Sequence, residues 1–229
     1  MFVGIENLSA QAPAERLIKV SIPLWKVIGP FGHPEFVHRP GNPDEAGWFL
    51  KGLMWSTQYP PDREINLQAV YKDELTKDCK GLTRRLKWEN RPARMGLVET
   101  REIKPDNVGV AFFVAWVQVP QDMMVKMEFP AYEPKNEKDI VKFGATQHVW
   151  VNGNLLETPQ FYIGCPYSWH PRQGQEVFLK EGWNMVYARV QSWFAGTRFG
   201  AELHVPLDLS KRLVFKNDPP MPLAVPMVL

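Results

Sequence analysis

Asn152-Gly153, inside Val149-Trp-Val-Asn-Gly-Asn154, constrains this chain more than any other dipeptide in it. Both residues accept the positive φ of a type I′ turn. The twist of that turn matches two antiparallel strands, so the pair predicts a tight β-hairpin. A second stretch, Phe178-Leu-Lys-Glu-Gly-Trp-Asn184, reads as a strand edge, a turn at Glu181-Gly182 and the entry of another strand. Both stretches point to β architecture, and neither carries catalytic chemistry.

The rest of the chain extends that pattern. Alternation of apolar and polar residues predicts strands at Ile18–Ile22, Met123–Phe129, Thr146–Val151, Met185–Gln191 and Phe199–Val205. In Met185–Gln191, the residues Met185, Tyr187, Arg189 and Gln191 fall on one face, and Val186, Ala188 and Val190 on the other. Val110–Val119 is apolar almost throughout and ends at Pro120, which predicts a strand buried on both faces. Leu24–Ile28 is a shorter apolar run, stopped by Gly29-Pro30. Within the charged stretch 65–105, Leu82, Leu86 and Trp88 suggest one strand and Gly96–Thr100 another. Breakers make 29–64 mostly loop, 131–139 a polar loop and 158–175 a second long loop. With no amphipathic helix of ordinary length, the expected fold is an all-β sandwich.

Three segments follow: an N-terminal arm at 1–19, a sandwich at 20–208 and an apolar tail at 209–229. Pro219, Pro220, Pro222 and Pro226 bar helix and central-strand pairing in that tail. It reads either as an extended docking segment or as a disordered end.

Composition removes several function classes. The net charge is +2, and the densest basic stretch is Arg84-Arg85 with Lys80 and Lys87, so nucleic-acid binding is not expected. No apolar run approaches the ~20 residues that span a bilayer. The N-terminus lacks a basic region followed by an apolar one, so no signal peptide is expected in this numbering. That places the chain in the cytoplasm or an internal compartment, or outside the cytoplasm if a leader was trimmed. Cys79 and Cys165 are open to one disulfide or to two buried thiols.

The order of the pieces resembles galactose-binding-like jelly-roll domains. Leu24-Trp-Lys-Val-Ile-Gly-Pro-Phe31 looks like the opening strand of that family. Ala111–Val119 stands where its apolar strand stands, and Val149–Gly153 and Leu179-Lys-Glu-Gly-Trp-Asn184 match its later motifs. The resemblance spans roughly 20–208 and implies a non-catalytic, carbohydrate-binding-module-like sandwich. The family usually carries an acidic pair before the Trp-Val-Asn-Gly strand. Here Phe143-Gly-Ala-Thr-Gln-His148 has no carboxylate, which puts calcium binding there in doubt.

Catalysis finds little support. No nucleophile-elbow, zinc-protease, Walker or dinucleotide pattern occurs, and no cofactor is expected. His33 and His38 lie near Glu35, but loop histidines are usually solvated, and no metal site is assigned. His148 reads as a packing histidine.

Aromatic and planar polar residues in loops are the remaining candidates for contact. Tyr167, Trp169, His170, Arg172, Trp193, Phe194 and Arg198 would meet a ligand or partner. Trp48, Trp55, Leu223, Val225 and Met227 would dock a protein partner. Trp150 and Trp183 are expected in the core. Two readings stay open: an accessory or structural subunit that docks onto a larger protein assembly through loops and tail, and a carbohydrate-binding module that contacts a glycan through the 162–172 loop.

Overall fold

Side-chain alternation sets most elements of this chain, and sheet pairing holds them. A computed structural model describes residues 16–31, 57–74, 83–99, 109–129, 145–156, 174–192 and 198–218. In chain order its elements are β1 (Leu17–Ser21), β2 (Leu24–Phe31), α1 (Pro60–Arg63), β3 (Val70–Glu74), β4 (Thr83–Lys87), β5 (Glu89–Pro92) and β6 (Val98–Glu99). There follow β7 (Gly109–Val119), β8 (Met123–Glu128), β9 (Ala145–Val151), β10 (Asn154–Leu156), β11 (Gln175–Leu179) and β12 (Gly182–Ser192). The series closes with β13 (Arg198–Phe199), β14 (Glu202–Pro206), α2 (Leu207–Ser210) and β15 (Val214–Lys216).

The class is all-β, with several antiparallel sheets. One sheet has four strands in the order β1-β14-β8-β11. The other has seven: β10-β9-β12-β7-β2-β5, with β15 paired to β7 beside that path. Two small ribbons, β3-β4 and β6-β13, and an isolated bridge between Arg94 and Leu97 complete the pairing among the described residues.

The two large sheets bury their inner faces against each other. Val125, Met127, Val177, Leu179, Leu203 and Val205 from the four-stranded sheet meet Trp25, Val27, Ala111, Phe113, Val117, Val186 and Val190 from the larger one. Each of the Val, Leu, Met and Phe side chains among them contributes about 1.5–3 kcal/mol by leaving water. The larger sheet has a second apolar layer on its outer face, where Phe31, Phe112, Val114, Trp116, Trp150, Met185 and Tyr187 pack under Tyr59, Ile65 and Leu67. β7 is therefore buried on both faces, as its continuous apolar run implies.

Asn152 and Gly153 both take positive φ, at 51° and 82°, which is the type I′ turn read from the sequence. Its neighbour in space is the other motif. Asn152 Nδ2 donates to Asn184 Oδ1 at 2.8 Å, and Asn152 Oδ1 accepts from the Met185 amide at 2.9 Å. Asn184, fully buried, also accepts from the Lys180 amide and donates to the Lys180 and Gly182 carbonyls. One amide side chain thus shapes the turn into β12 and ties it to the β9–β10 hairpin.

Trp150 is buried in the outer layer as expected, whereas Trp183 is only partly buried, with the Lys216 ammonium 5.0 Å from its ring centre. The structure departs from the sequence reading at β2. That strand does not stop at Gly29-Pro30 but runs through it to Phe31, with its register shifted between Ile28 and Phe31. A Cβ on Gly29 would lie 2.8 Å from the Val110 carbonyl oxygen, and its φ is +109°, so only glycine lets β2 pass this close to β7. The sequence reading did not include β3, β5 or β15. β15 lies within the segment read as tail and pairs with Trp116–Gln118.

Candidate docking face

Alternation in the four-stranded sheet points a second set of side chains away from the core. Along β8, Met123, Val125 and Met127 enter the core, which leaves Met124, Lys126 and Glu128 outside. The same rule puts Leu17, Lys19 and Ser21 outside on β1, Glu176 and Phe178 on β11, and Glu202, His204 and Pro206 on β14.

Register then aligns these residues into rows across the sheet. Leu17 is opposite Pro206, and Met124 opposite Phe178. Glu202 pairs with Glu128 and His204 with Lys126, where the ladder ends, and the same register continued by two residues would set Pro206 beside Met124. The result is an apolar rib, Leu17–Pro206–Met124–Phe178, crossing all four strands over about 14 Å at the usual strand spacing. Leu17, Met124 and Phe178 are 54%, 57% and 49% exposed. Lone apolar residues are ordinary on a surface, and it is their alignment that makes this rib the candidate contact surface.

Beside the rib runs the row Lys19–His204–Lys126–Glu176, and beyond it Ser21–Glu202–Glu128. Glu128 and Glu202 are direct cross-strand neighbours, a placement that repels unless a cation intervenes. Lys19 supplies it, with Nζ 2.6 Å from Glu128 Oε2 and 3.8 Å from Glu202 Oε2. His204 Nε2 lies 3.1 Å and Lys126 Nζ 3.6 Å from Glu128 Oε1. Burial pushes the Glu128 carboxyl up, but hydrogen bonds and charge from Lys19 and His204 outweigh it and hold it at about 2. The ammonium of Lys19 fills the space between the carboxylates. Among the described residues no three His, Cys, Asp or Glu side chains come together to hold a metal ion.

The outer face of the larger sheet is built differently. Residues 57–71 lie over it, and a buried ion pair fastens them. Arg189 Nε is 3.5 Å from Asp62 Oδ1, and Arg189 Nη2 donates to the Thr57 carbonyl at 2.8 Å. Asp62 Oδ2 accepts from the Tyr59 amide at 2.8 Å, and the Tyr187 hydroxyl donates to the Pro61 carbonyl at 3.0 Å. Burial raises the Asp62 carboxyl above the ordinary carboxylate range even with Arg189 beside it. Burial, then the Arg189 charge, hold the His148 imidazole down at about 4. These groups fasten structure and offer no open site. At the rim, a groove of about 360 Å³ is lined by Gln58, Arg63, Glu64, Asn66 and Tyr71.

Most residues singled out from sequence fall elsewhere. Tyr167, Trp169, His170, Arg172, Trp193 and Phe194 lie outside the described residues, as do Trp48, Trp55, Leu223, Val225, Met227, Cys79 and Cys165. The backbone of Arg198 belongs to β13 and pairs with Glu99. The rib was not read from sequence. Its signal is an apolar residue out of phase between two inward ones, as Met124 stands between Met123 and Val125, and Phe178 between Val177 and Leu179.

Compared with known proteins, the chain matches no family model, no curated protein and no solved structure. Among the described residues no helix is long and apolar enough to cross a membrane.

Proposed function

We propose that this chain is a non-catalytic accessory or structural subunit that docks onto a larger protein assembly, built as a galactose-binding-like jelly-roll sandwich. The observation that carries the reading is the exposed rib Leu17–Pro206–Met124–Phe178 with its charged flank. An apolar centre with a polar rim is the anatomy of a protein–protein contact. Loops and tail would extend that contact around the sheet.

Site-specific photo-crosslinking tests it. A benzophenone side chain at position 178 should give protein adducts in the source cells, while one at Leu155, equally exposed on the far edge of the other sheet, should not. Equal yields at both positions would sink the docking reading.

A second reading, glycan contact, draws on the groove of Gln58, Arg63, Asn66 and Tyr71, which combines planar polar groups with an aromatic ring. Glycan-array binding lost on Tyr71→Ala would favour it over docking.

A further inference from the structure

We propose that the occupant of the rib is a second copy of this chain, packed face to face about a two-fold axis running along the rib. This deepens the docking reading above and rests on it.

The argument is charge complementarity. On β8, Lys126 flanks one side of Met124, and Asp122, one residue before the strand and accepting from the Glu181 amide through Oδ1, flanks the other. On β11, Glu176 flanks one side of Phe178, and Lys180, one residue past the strand, flanks the other. Asp122, Lys126, Glu176 and Lys180 are all exposed. On these two strands the two sides of the rib carry opposite charge.

A two-fold axis along the rib exchanges those sides. Met124 then meets its own mate, as do Leu17 and Phe178. Lys126 faces Asp122 of the other copy and Glu176 faces Lys180, each contact made twice by symmetry. Two pairs of opposite charge thus complement the apolar contact that the rib supplies.

Size sets the strength. Four strands about 4.8 Å apart and three rows about 7 Å apart give a face of roughly 300–400 Å². That is about half of the ~800 Å² per partner in a standard interface, so dissociation in the micromolar range is expected.

Sedimentation equilibrium of the full chain at about 1–500 µM, which brackets that range, reads the result. The wild type should dimerise. Glu176→Lys and Lys180→Glu should each weaken the dimer roughly tenfold, because each places two like-charge pairs in the contact. The double reversal Glu176→Lys/Lys180→Glu should return the affinity to within about twofold of wild type. Met124→Asp should abolish dimerisation. Circular dichroism confirms that each variant is folded, and the exposed pair at 176 and 180 keeps the test valid even if Met124→Asp is not.

A chain monomeric throughout that range overturns the proposal, as does a dimer indifferent to the single reversals, or a double reversal that fails to restore it. A monomer whose position-178 crosslinks join a different protein overturns the second copy as occupant and leaves the docking reading standing.

Discussion

The two large sheets each have an inner face in the core, but their outer faces differ. The seven-stranded sheet carries Phe112, Trp150 and Tyr187 outward, and residues 57–71 cover them. The four-stranded sheet carries Leu17, Met124 and Phe178 outward, and they stay half exposed. On the first face, charge is used to fasten the chain to itself: Arg189 reaches Asp62 and the Thr57 carbonyl in near-complete burial. On the second, charge is used to keep a polar row soluble and ordered beside an apolar rib, with Lys19 open to water on one side. One fold thus contains an outer face whose apolar side chains are covered and one whose apolar side chains are open.

The sharpest way to break this comparison is Arg189→Met. It leaves the Asp62 carboxylate buried without its cation, so a loss of about 3–5 kcal/mol is expected from urea unfolding. The double variant Arg189→Met/Asp62→Leu should recover most of that loss, because it removes both charges. If the single variant unfolds like wild type, the closed face is not fastened by this pair.

Asn184→Ala comes next. It removes the groups that satisfy Asn152, the Lys180 amide and two carbonyls, and a loss of about 2–3 kcal/mol is expected by thermal or urea unfolding. This affects both faces equally and so calibrates the others.

Acid should act on the two faces in different pH windows. His148, on the closed face, is held at about 4 against an ordinary 6.5. Between those values the unfolded chain binds more protons, so stability falls as pH drops from 6.5 towards 4. Asp62, raised by burial, works in the opposite sense. The readout is therefore the difference between wild type and His148→Gln, which should shrink across that window. Glu128, on the open face, is held at about 2 against an ordinary 4.5. Its contribution is complete above 4.5 and is lost as pH falls from there towards 2. At neutral pH and low salt, Glu128→Gln should cost about 1 kcal/mol, since Lys19 is half exposed and screened. The gap between wild type and Glu128→Gln should close as pH falls below 4.5 and should stay constant between 4.5 and 6.5, where His148 acts.

The smallest effect sharpens the comparison most. Met124→Ser should change the stability of the isolated chain by no more than about 0.5 kcal/mol, because the side chain is already in water. Denaturant midpoints at low protein concentration check it. A large loss would mean that Met124 packs against the chain's own residues and that the face is closed.

Much of the fold was legible in the sequence because alternation is a local signal. Met123–Phe129 and Met185–Gln191 state their own inward and outward faces, and Asn152-Gly153 states its turn. The rib was not legible. Leu17, Pro206, Met124 and Phe178 become neighbours only through the strand order β1-β14-β8-β11, and no local pattern encodes that order. The Arg189–Asp62 pair escaped for a similar reason. Alternation put Arg189 on the face of Tyr187, but its partner stands in a stretch whose breakers read as loop. The sequence signal at Gly29-Pro30 pointed to a stop because a bulge against β7 depends on which strand lies beside it.

The Asn152–Asn184 contact has a use that has nothing to do with faces. It joins the Asn152-Gly153 turn to the entry of β12, two points 32 residues apart in the chain, through side-chain amides rather than through the ladder. Closing a long loop costs little more than closing a short one, about 0.6 kcal/mol for each doubling of a flexible loop. The register of β9 against β12 is therefore held at its closed end by two side chains as well as by the ladder itself.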